Sequence, residues 1–371
     1  MFGFGRLGSY SYFTHVEREL IARFAAAGHE LITHVIDDLP TASVRRRATR
    51  LAQVVARTAA GANAIHLLGH STGGLDARLV ASPVTRTIPA EDLSWLPGLR
   101  SVTTMNTPHA GSPLASFFTT TSGQRVLAAL SMLTVAALTM GAQPLRATSV
   151  ILGVLRRGDL AVPFRRRMLD RAVESLIGVV DDARCPEVRT FLSAIEDDQG
   201  AMTQLSPEAM DLVMAGFANR PEVRYQSTVS MAPSPAPHRW LDTIGHPVRA
   251  VSMSTFVALH HLTAGVSERY PCTTAAIDTT VTEAQLVTAL GGPPALGDND
   301  GVVPVRSQLW GDVVWAGLGD HLDVLGHYRD DREDVPPELR HIDWLTSGSA
   351  FTHTAFGTLM DAIATGMLAS T

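Results

Sequence analysis

The chain of 371 residues is long enough for one large domain with an insertion, or for two domains. Hydrophobic residues make up 45% of it and charged residues only 18%, a composition that excludes a predominantly disordered protein. The formal net charge of −6 gives no electrostatic support to non-specific nucleic-acid binding, so we expect no nucleic-acid partner.

Helical and strand-like patterns alternate along the first part of the chain. In chain order, the predicted elements are a helix at 14–27, a strand at 30–36, a helix at 41–60, a strand at 64–70, a helix starting at Gly73 and a strand at 101–107. Thr41 or Ser43 is the expected cap of the second helix, because a hydroxyl there can accept from the first free amides. This alternation is typical of a parallel sheet covered by helices on both faces.

The alternation then stops over a long segment. Residues 112–215 have helical patterns without a convincing strand, and strand character resumes only at 223–230. A helical insertion between the strands of an α/β core is most simply a lid or cap. We therefore divide the chain into an N-terminal part of the core at 1–111, a lid at 112–215 and a C-terminal part of the core at 216–371.

Signals for export and for membrane insertion are weak. Met1 is followed at once by FGFGRLGSYSYF, with neither a basic start nor an apolar run. We therefore expect no signal peptide and a cytoplasmic protein as the sequence stands, or a secreted one if the N-terminus is truncated. The uncharged run 126–145 favours a buried or surface-closing helix over a transmembrane one, because it is rich in Ala, Ser, Thr and Met. Cys185 and Cys272 match no metal spacing and are either free thiols or one disulfide.

The stretch IHLLGHSTGG, residues 65–74, places a serine between a predicted strand and a predicted helix. This is the context that the G-x-S-x-G nucleophile elbow requires, in which Ser71 is held on a very tight, strained turn. Glycine suits positions 69 and 73, because side chains there would collide with each other or with the neighbouring strand. The following helix directs N–H groups at the serine, where they can stabilise negative charge. We predict that Ser71 is a nucleophile rather than an incidental serine in a glycine-rich turn.

A nucleophilic serine needs a histidine as its base and an acid that orients the histidine. In enzymes with this elbow, the chain order is serine, acid, histidine, and the last two lie on loops after late strands. Residues 297–328 offer that order, because Asp300 lies in a loop, a strand-like run follows, and His321 lies in the next loop. The rival acids are Asp298, Asp320 and Asp323, and the rival bases are His327, His341 and His353.

Four motifs, taken in order, resemble those of a known family. They are GHSTGGLDAR around Ser71, VTTMNTPHAGSP at 102–113, NDGVVPV from Asn299 and DHLD at 320–323. Together they resemble the motifs of the bacterial true lipases, the Pseudomonas and Burkholderia type of triacylglycerol lipase, and the similarity extends to the tail at 351–364. The resemblance implies an α/β-hydrolase fold, with a mostly parallel central sheet flanked by helices and an inserted helical lid.

The resemblance also implies a role for each motif residue. Ser71 corresponds to the nucleophile, Asp300 to the acid and His321 to the base, which are the residues that the loop order selects. The expected activity is hydrolysis of a carboxylic ester through an acyl-enzyme on Ser71. An acyltransferase or a polyester depolymerase would use the same triad, and an inactive lipid-binding protein would share the fold. The expected partner is a lipid or a small ester, and a lipid–water interface for a lipase.

An oxyanion hole needs two backbone N–H groups. One is expected from Thr72, directly after the nucleophile. The segment FGRLGS at 4–9 resembles the family's HGLxGT segment and implies that the second N–H belongs to Arg6. Phe4 stands where the family has a histidine, and almost all of the strand that precedes this segment in the family is absent from the sequence.

The family binds a structural calcium near its active-site histidine, and the motifs carry that site over only in part. Asp323 matches one ligand, and Asp278 lies at the spacing of another, 22 residues before Asp300. The next ligand position holds His327, although calcium prefers oxygen. Arg306 stands where the family has the second cysteine of its disulfide. We expect no required cofactor, and Asp323 is either a calcium ligand or a carboxylate that orients its surroundings.

Overall fold

The computed structural model describes residues 6–7, 10–39, 41–84, 88–120, 123, 200–236, 238, 243–265, 283–330, 332, 335 and 340–370. Most of the predicted lid lies outside these ranges, as do the run 126–145, both cysteines and Asp278. The two ends of the predicted lid meet, because the N–H of Ser112 donates to the carbonyl of Leu205 at 3.0 Å. None of the helices within the described ranges is both long and apolar enough to cross a membrane.

The described residues form a mixed α/β architecture. Its strands are β1 (Arg6–Leu7), β2 (Tyr10–Ser11), β3 (Ile65–His70), β4 (Leu99–Met105), β5 (Arg224–Met231) and β6 (Asp312–Leu318). Its α-helices are α1 (Thr14–Ala26), α2 (Val44–Thr58), α3 (Thr72–Ala81), α4 (Pro113–Phe118), α5 (Gly200–Gln204), α6 (Pro207–Ala215), α7 (Pro247–Thr263), α8 (Glu283–Leu290) and α9 (His353–Leu368). Short 3-10 helices lie at Ala90–Leu93, Leu96–Gly98, Val305–Gln308 and Asp323–Leu325.

The central sheet consists of four parallel strands in the order β3-β4-β5-β6, and β1 and β2 form a separate antiparallel hairpin. In a parallel sheet, all the strands end at the same edge, and the loops that follow them converge there. His70 ends β3 and Met105 ends β4, so the residues that follow them, Ser71 and Asn106, leave neighbouring strands at that edge. The candidate site described below lies on these loops.

Helices cover both faces of the sheet, as the alternation predicts. Val102 and Tyr225 pack with residues of α2 and α3 in one apolar cluster. The next residues along the two strands face the other way, and Gln226 Nε2 donates to Thr103 Oγ1 and, at 3.4 Å, to the carbonyl of Ile363 on α9. Helix α1 packs against α9 on this second face. Consecutive strand residues therefore contribute to two different cores, because their side chains alternate across the sheet.

Within the described ranges, the predicted elements agree with the observed ones except for the strand expected at 30–36. That prediction is wrong, because the segment forms neither helix nor strand. Individual side chains of this segment contact α1 and the core without strand pairing, and Ile32 is 70% exposed. Leu31 packs against the large apolar cluster, and the Thr33 hydroxyl donates to Glu17 Oε1 at 2.8 Å. Strand β3 is the edge of the described sheet and pairs with β4. Ser43 is the cap of α2 and accepts from the N–H of Arg46.

Candidate active site

Ser71 lies on the turn between β3 and α3. Its φ of 55° and ψ of −129° place it in a region that residues with side chains rarely adopt. The N–H of Ser71 donates to the carbonyl of Met105, the last residue of β4, at 2.8 Å, and its side chain is buried. This hydrogen bond to the neighbouring strand therefore stabilises the strained backbone conformation of Ser71. This is the strand–turn–helix geometry that a nucleophile elbow needs.

Two glycines permit this turn. A Cβ at Gly69 would clash with the backbone of Gly73, and a Cβ at Gly74 would clash with the side chain of Thr107. A Cβ at Gly73 would meet nothing within 4 Å. Our expectation that glycine at 73 avoids a collision is therefore wrong, because the backbone crosses closely at 69 and 74 and leaves the Cβ direction of 73 open.

Asp300 is fully buried, and hydrogen bonds fix the orientation of its carboxylate. Its Oδ1 accepts from the N–H groups of Val302 at 2.9 Å and Val303 at 2.7 Å. Its Oδ2 accepts from His321 Nδ1 at 2.8 Å and from Asn106 Nδ2 at 2.9 Å. The N–H of His321 also donates to the carbonyl of Asp300 at 2.8 Å, so the two loops are joined by backbone as well as side chain.

The imidazole of His321 is buried and presents one ring nitrogen for chemistry. Nδ1 is bonded to Asp300, whereas Nε2 has no hydrogen-bond partner among the described residues. The ring lies 4.5 Å from that of His70, measured between centroids, and His70 is the chain neighbour of Ser71. Nε2 is the atom that would accept a proton from a nucleophile. In enzymes without substrate, such catalytic contacts are often long and tighten only in the complex.

A second contact connects the elbow to the histidine loop. His70 Nε2 donates to the carbonyl of His321 at 2.9 Å, because a carbonyl oxygen only accepts. His70 Nδ1 is then the acceptor for the Tyr12 hydroxyl at 3.3 Å. Burial and the neighbouring His321 lower the pKa of His70 well below its usual value, so the ring is neutral and has one donor and one acceptor. Neither role of His70 is predicted from the sequence, although its position next to the predicted nucleophile is a usable signal.

The two candidate oxyanion donors lie on different elements. Thr72 is the first residue of α3, where backbone N–H groups have no acceptor within the helix. Arg6 lies in β1 opposite Ser11 of β2. The hairpin runs directly into Tyr12, which contacts the residue before Ser71. Tyr12, which follows the strand that pairs with Arg6, therefore contacts the elbow through His70.

The rival residues have other partners. Asp298 accepts from the N–H of Ala295, His341 donates to the carbonyl of Gly326, His353 bonds to the Tyr328 hydroxyl, and His327 lies between the rings of Tyr12 and Trp344. Of the candidate acids and bases, Asp300 and His321 are hydrogen-bonded to each other, at 2.8 Å.

Two buried carboxylates, Asp320 and Asp323, fix the loop of the candidate base. Asp320 Oδ1 accepts the N–H groups of Leu322 and Asp323, which closes a tight turn. Its Oδ2 accepts the Ser347 hydroxyl at 2.6 Å. Asp323 Oδ2 accepts the Ser349 hydroxyl at 2.6 Å and the N–H of Asp320 at 2.8 Å. Burial raises the pKa of Asp320 to about 7 and that of Asp323 well above its usual value.

These contacts bear on the calcium hypothesis. Calcium needs six to eight oxygen ligands. Asp323 Oδ2 already accepts two hydrogen bonds, and burial lowers the pKa of His327 to about 4, so this position offers a neutral nitrogen. Within the described ranges, no group of three or more His, Cys, Asp or Glu side chains is placed to hold a metal ion. Asp323 is the one predicted ligand that the structure describes, and Asp278 lies outside the described residues, so the calcium site stays a prediction.

Comparison with known proteins gives only distant similarity. No protein-family model matches the sequence, and no curated protein does. Lipase 1 from Pelosinus fermentans superimposes with a TM-score of 0.48 at 15% identity, over 98% of this chain and 96% of that chain. Staphylococcus hyicus lipase gives 0.46 at 14% identity, over 100% and 94%. EstA from Clostridium botulinum gives 0.45 at 17%, over 96% and 85%. Values this low leave the functional argument to the geometry of the site.

Proposed function

We propose that the protein is a serine carboxylic-ester hydrolase with an α/β-hydrolase fold, a lipase or esterase. The observation that carries this proposal is the 2.8 Å hydrogen bond between His321 Nδ1 and Asp300 Oδ2. The His321 ring lies 4.5 Å, measured between centroids, from that of His70, which directly precedes Ser71 on the strand–helix turn with φ of 55°. Nucleophile, acid and base follow in the chain order that this elbow requires, as Ser71, Asp300 and His321.

In the proposed reaction, Ser71 Oγ attacks the carbonyl carbon of the ester while His321 Nε2 takes the proton of the Ser71 hydroxyl. Asp300 keeps the proton of His321 on Nδ1, so that Nε2 is the acceptor. The N–H groups of Thr72 and Arg6 stabilise the oxyanion. The alcohol leaves with the proton from His321 and an acyl group remains on Ser71. Water that His321 deprotonates then releases the acid.

The finer proposal is a lipid ester as substrate. The ordered motifs resemble those of bacterial true lipases, and 112–215 has the position and the helical pattern of a lid in that family. In this proposal the lid covers an apolar acyl pocket and moves at a lipid–water interface. A chain-length series of substrates tests it, because a lipase is expected to prefer long acyl chains presented as an emulsion.

The first test is active-site labelling of the wild-type protein. A fluorophosphonate probe is expected to label one site per chain, on the peptide that contains Ser71, and p-nitrophenyl esters of some chain length are expected to be hydrolysed. Intact-mass and peptide mass spectrometry measure the first, and absorbance the second. A protein that neither labels nor hydrolyses any ester of the series would be an inactive member of the fold. Acyl transfer to an added alcohol that is faster than hydrolysis would favour an acyltransferase.

Removal of divalent cations is expected to leave both ester hydrolysis and the thermal unfolding midpoint unchanged. Ser347, Ser349 and backbone N–H groups satisfy Asp320 and Asp323, so the loop of His321 is held without a metal. The measurement compares protein dialysed against EDTA with the same protein after calcium is restored. A loss of activity that calcium reverses would instead show that Asp323 belongs to a metal site.

A further inference from the structure

We infer that Asn106 is a positioning residue for the reaction, because its side-chain amide holds Asp300 in the orientation in which that carboxylate meets His321. The inference rests on the proposed hydrolase function. Asn106 directly follows β4 and is fully buried, and its φ of 49° is one that glycine and asparagine adopt most readily. It lies within the motif at 102–113, but that motif assigns it no role.

The amide and the imidazole meet at one carboxylate oxygen. Asn106 Nδ2 donates to Asp300 Oδ2 at 2.9 Å, and His321 Nδ1 donates to the same oxygen at 2.8 Å. The second hydrogen on Nδ2 is directed to the hydroxyl of Ser230 on β5. A carboxylate oxygen only accepts, so the amide must turn its NH₂ group towards it. Asn106 therefore sets where Oδ2 lies when the imidazole approaches.

The other end of the same amide shows why the residue is asparagine. Asn106 Oδ1 is buried and has no hydrogen-bond donor among the described residues. A buried acceptor without a partner is unfavourable for folding. A glycine would adopt the same backbone conformation without that cost. The Nδ2 of Asn106 therefore contributes a hydrogen bond to Asp300, whereas its buried Oδ1 lowers the stability of the fold. Such a combination is expected of a residue that serves the active site rather than stability.

The backbone of Asn106 connects the acid to the elbow. Its N–H donates to the carbonyl of Thr228 on β5 at 3.2 Å, and the carbonyl of the preceding Met105 accepts from the N–H of Ser71 at 2.8 Å. One end of β4 therefore contacts the nucleophile through its backbone and the acid through a side chain. As His321 gains a proton, this second donor keeps Asp300 Oδ2 in place opposite the imidazolium.

The test compares Asn106→Gly, which keeps the backbone conformation, with Asn106→Asp, which keeps the shape but places a second carboxylate against Asp300. Asn106→Gly is expected to lower kcat roughly 10- to 100-fold, the range for a lost hydrogen bond to a charged group. KM is expected to change little, and fluorophosphonate labelling to slow by a similar factor. Asn106→Asp is expected to lower kcat further. Ser101→Ala is the matched control, with kcat within about threefold of wild type, because Ser101 is a buried residue of β4 whose hydroxyl bonds His66 Nδ1 at 2.8 Å.

The inference is overturned if Asn106→Gly lowers the thermal midpoint but leaves kcat and the labelling rate of the folded protein unchanged, because the residue would then be structural only. It is also overturned if KM rises while kcat stays constant. Failure of the wild-type protein to label or hydrolyse esters is a different result, since it contradicts the proposed function itself.

Discussion

Replacing Ser71 by alanine is expected to lower kcat for ester hydrolysis roughly 10⁶-fold and to abolish fluorophosphonate labelling, while the protein stays folded. Alanine keeps the Cβ of the elbow residue, so the turn with φ of 55° is not relieved or strained further. The residual rate comes from substrate binding and the oxyanion donors. Initial rates with p-nitrophenyl esters, mass spectrometry of the labelled protein and thermal unfolding measure the three parts of this expectation.

Nucleophile and base act as a unit, so their losses are not expected to add. The double variant Ser71→Ala/His321→Ala is expected to be no slower than Ser71→Ala alone. Ser82→Ala is a matched control, because Ser82 is a buried serine at the end of the same helix and its hydroxyl accepts from the N–H of Ala218. Additive losses in the double variant, or more than about 1% of the activity left in Ser71→Ala, would contradict the proposed triad.

The acid and the base could be paired from the sequence because chain order and loop position restrict the choice. Asp300 and Asp298 are both loop acids near the same strand, and composition does not distinguish them. The structure shows the physical difference between them. The turn closed by the N–H of Asp300 on the carbonyl of Val303 directs the Asp300 side chain towards His321, whereas Asp298 turns back onto the N–H of Ala295.

The residues that hold the acid and the base in place could not be predicted in the same way. The contact of Asn106 with Asp300 spans 194 positions in the chain, and that of His70 with the carbonyl of His321 spans 251. Hydrophobic periodicity reports which face of an element is buried. It does not report which loop ends meet at a sheet edge. Both residues directly follow or end a strand of the parallel sheet, and His70 also precedes the predicted nucleophile, but neither signal identifies the contact that the residue makes.

A buried arginine is a second feature that the sequence does not predict. Arg78 on α3 is almost fully buried, with its guanidinium carbon 3.3 Å from the centre of the Trp310 ring and Nη1 bonded to His109 Nδ1 at 2.8 Å. Burial lowers the pKa of Arg78 to about 9. Arginine side chains are mostly exposed in folded proteins, so the residue type alone would place Arg78 on the surface. Together with Met214 Sδ at 3.3 Å and the Phe217 ring, these aromatic and imidazole partners from distant parts of the chain offset the cost of this burial.

Removing one partner of the buried Arg47–Asp76 pair is expected to lower the free energy of unfolding by about 3–5 kcal/mol. Arg47 Nε bonds Asp76 Oδ2 at 2.8 Å, Nη2 bonds Oδ1 at 3.0 Å, and Nη1 donates to the carbonyl of Ala42 at 2.6 Å. Desolvation raises the pKa of Asp76 even with Arg47 beside it. The cost of burial is therefore large, and Asp76→Leu would remove the carboxylate that accepts two hydrogen bonds from the buried Arg47 guanidinium. Urea unfolding of wild type and variant measures the difference.

The double variant Arg47→Met/Asp76→Leu separates this cause from lost packing. It is expected to recover most of the stability, because apolar side chains of similar volume carry no desolvation cost. Asp361→Ala is the control, since Asp361 pairs with Arg23 at 2.6 Å but is 66% exposed, and its loss is expected to cost no more than about 1 kcal/mol. A single Asp76→Leu loss no larger than this control would refute the expectation. The pair joins α2 to α3, whose first residue is Thr72, the proposed oxyanion donor. The kcat of the double variant therefore also shows whether ester hydrolysis needs the ion pair or only a packed helix.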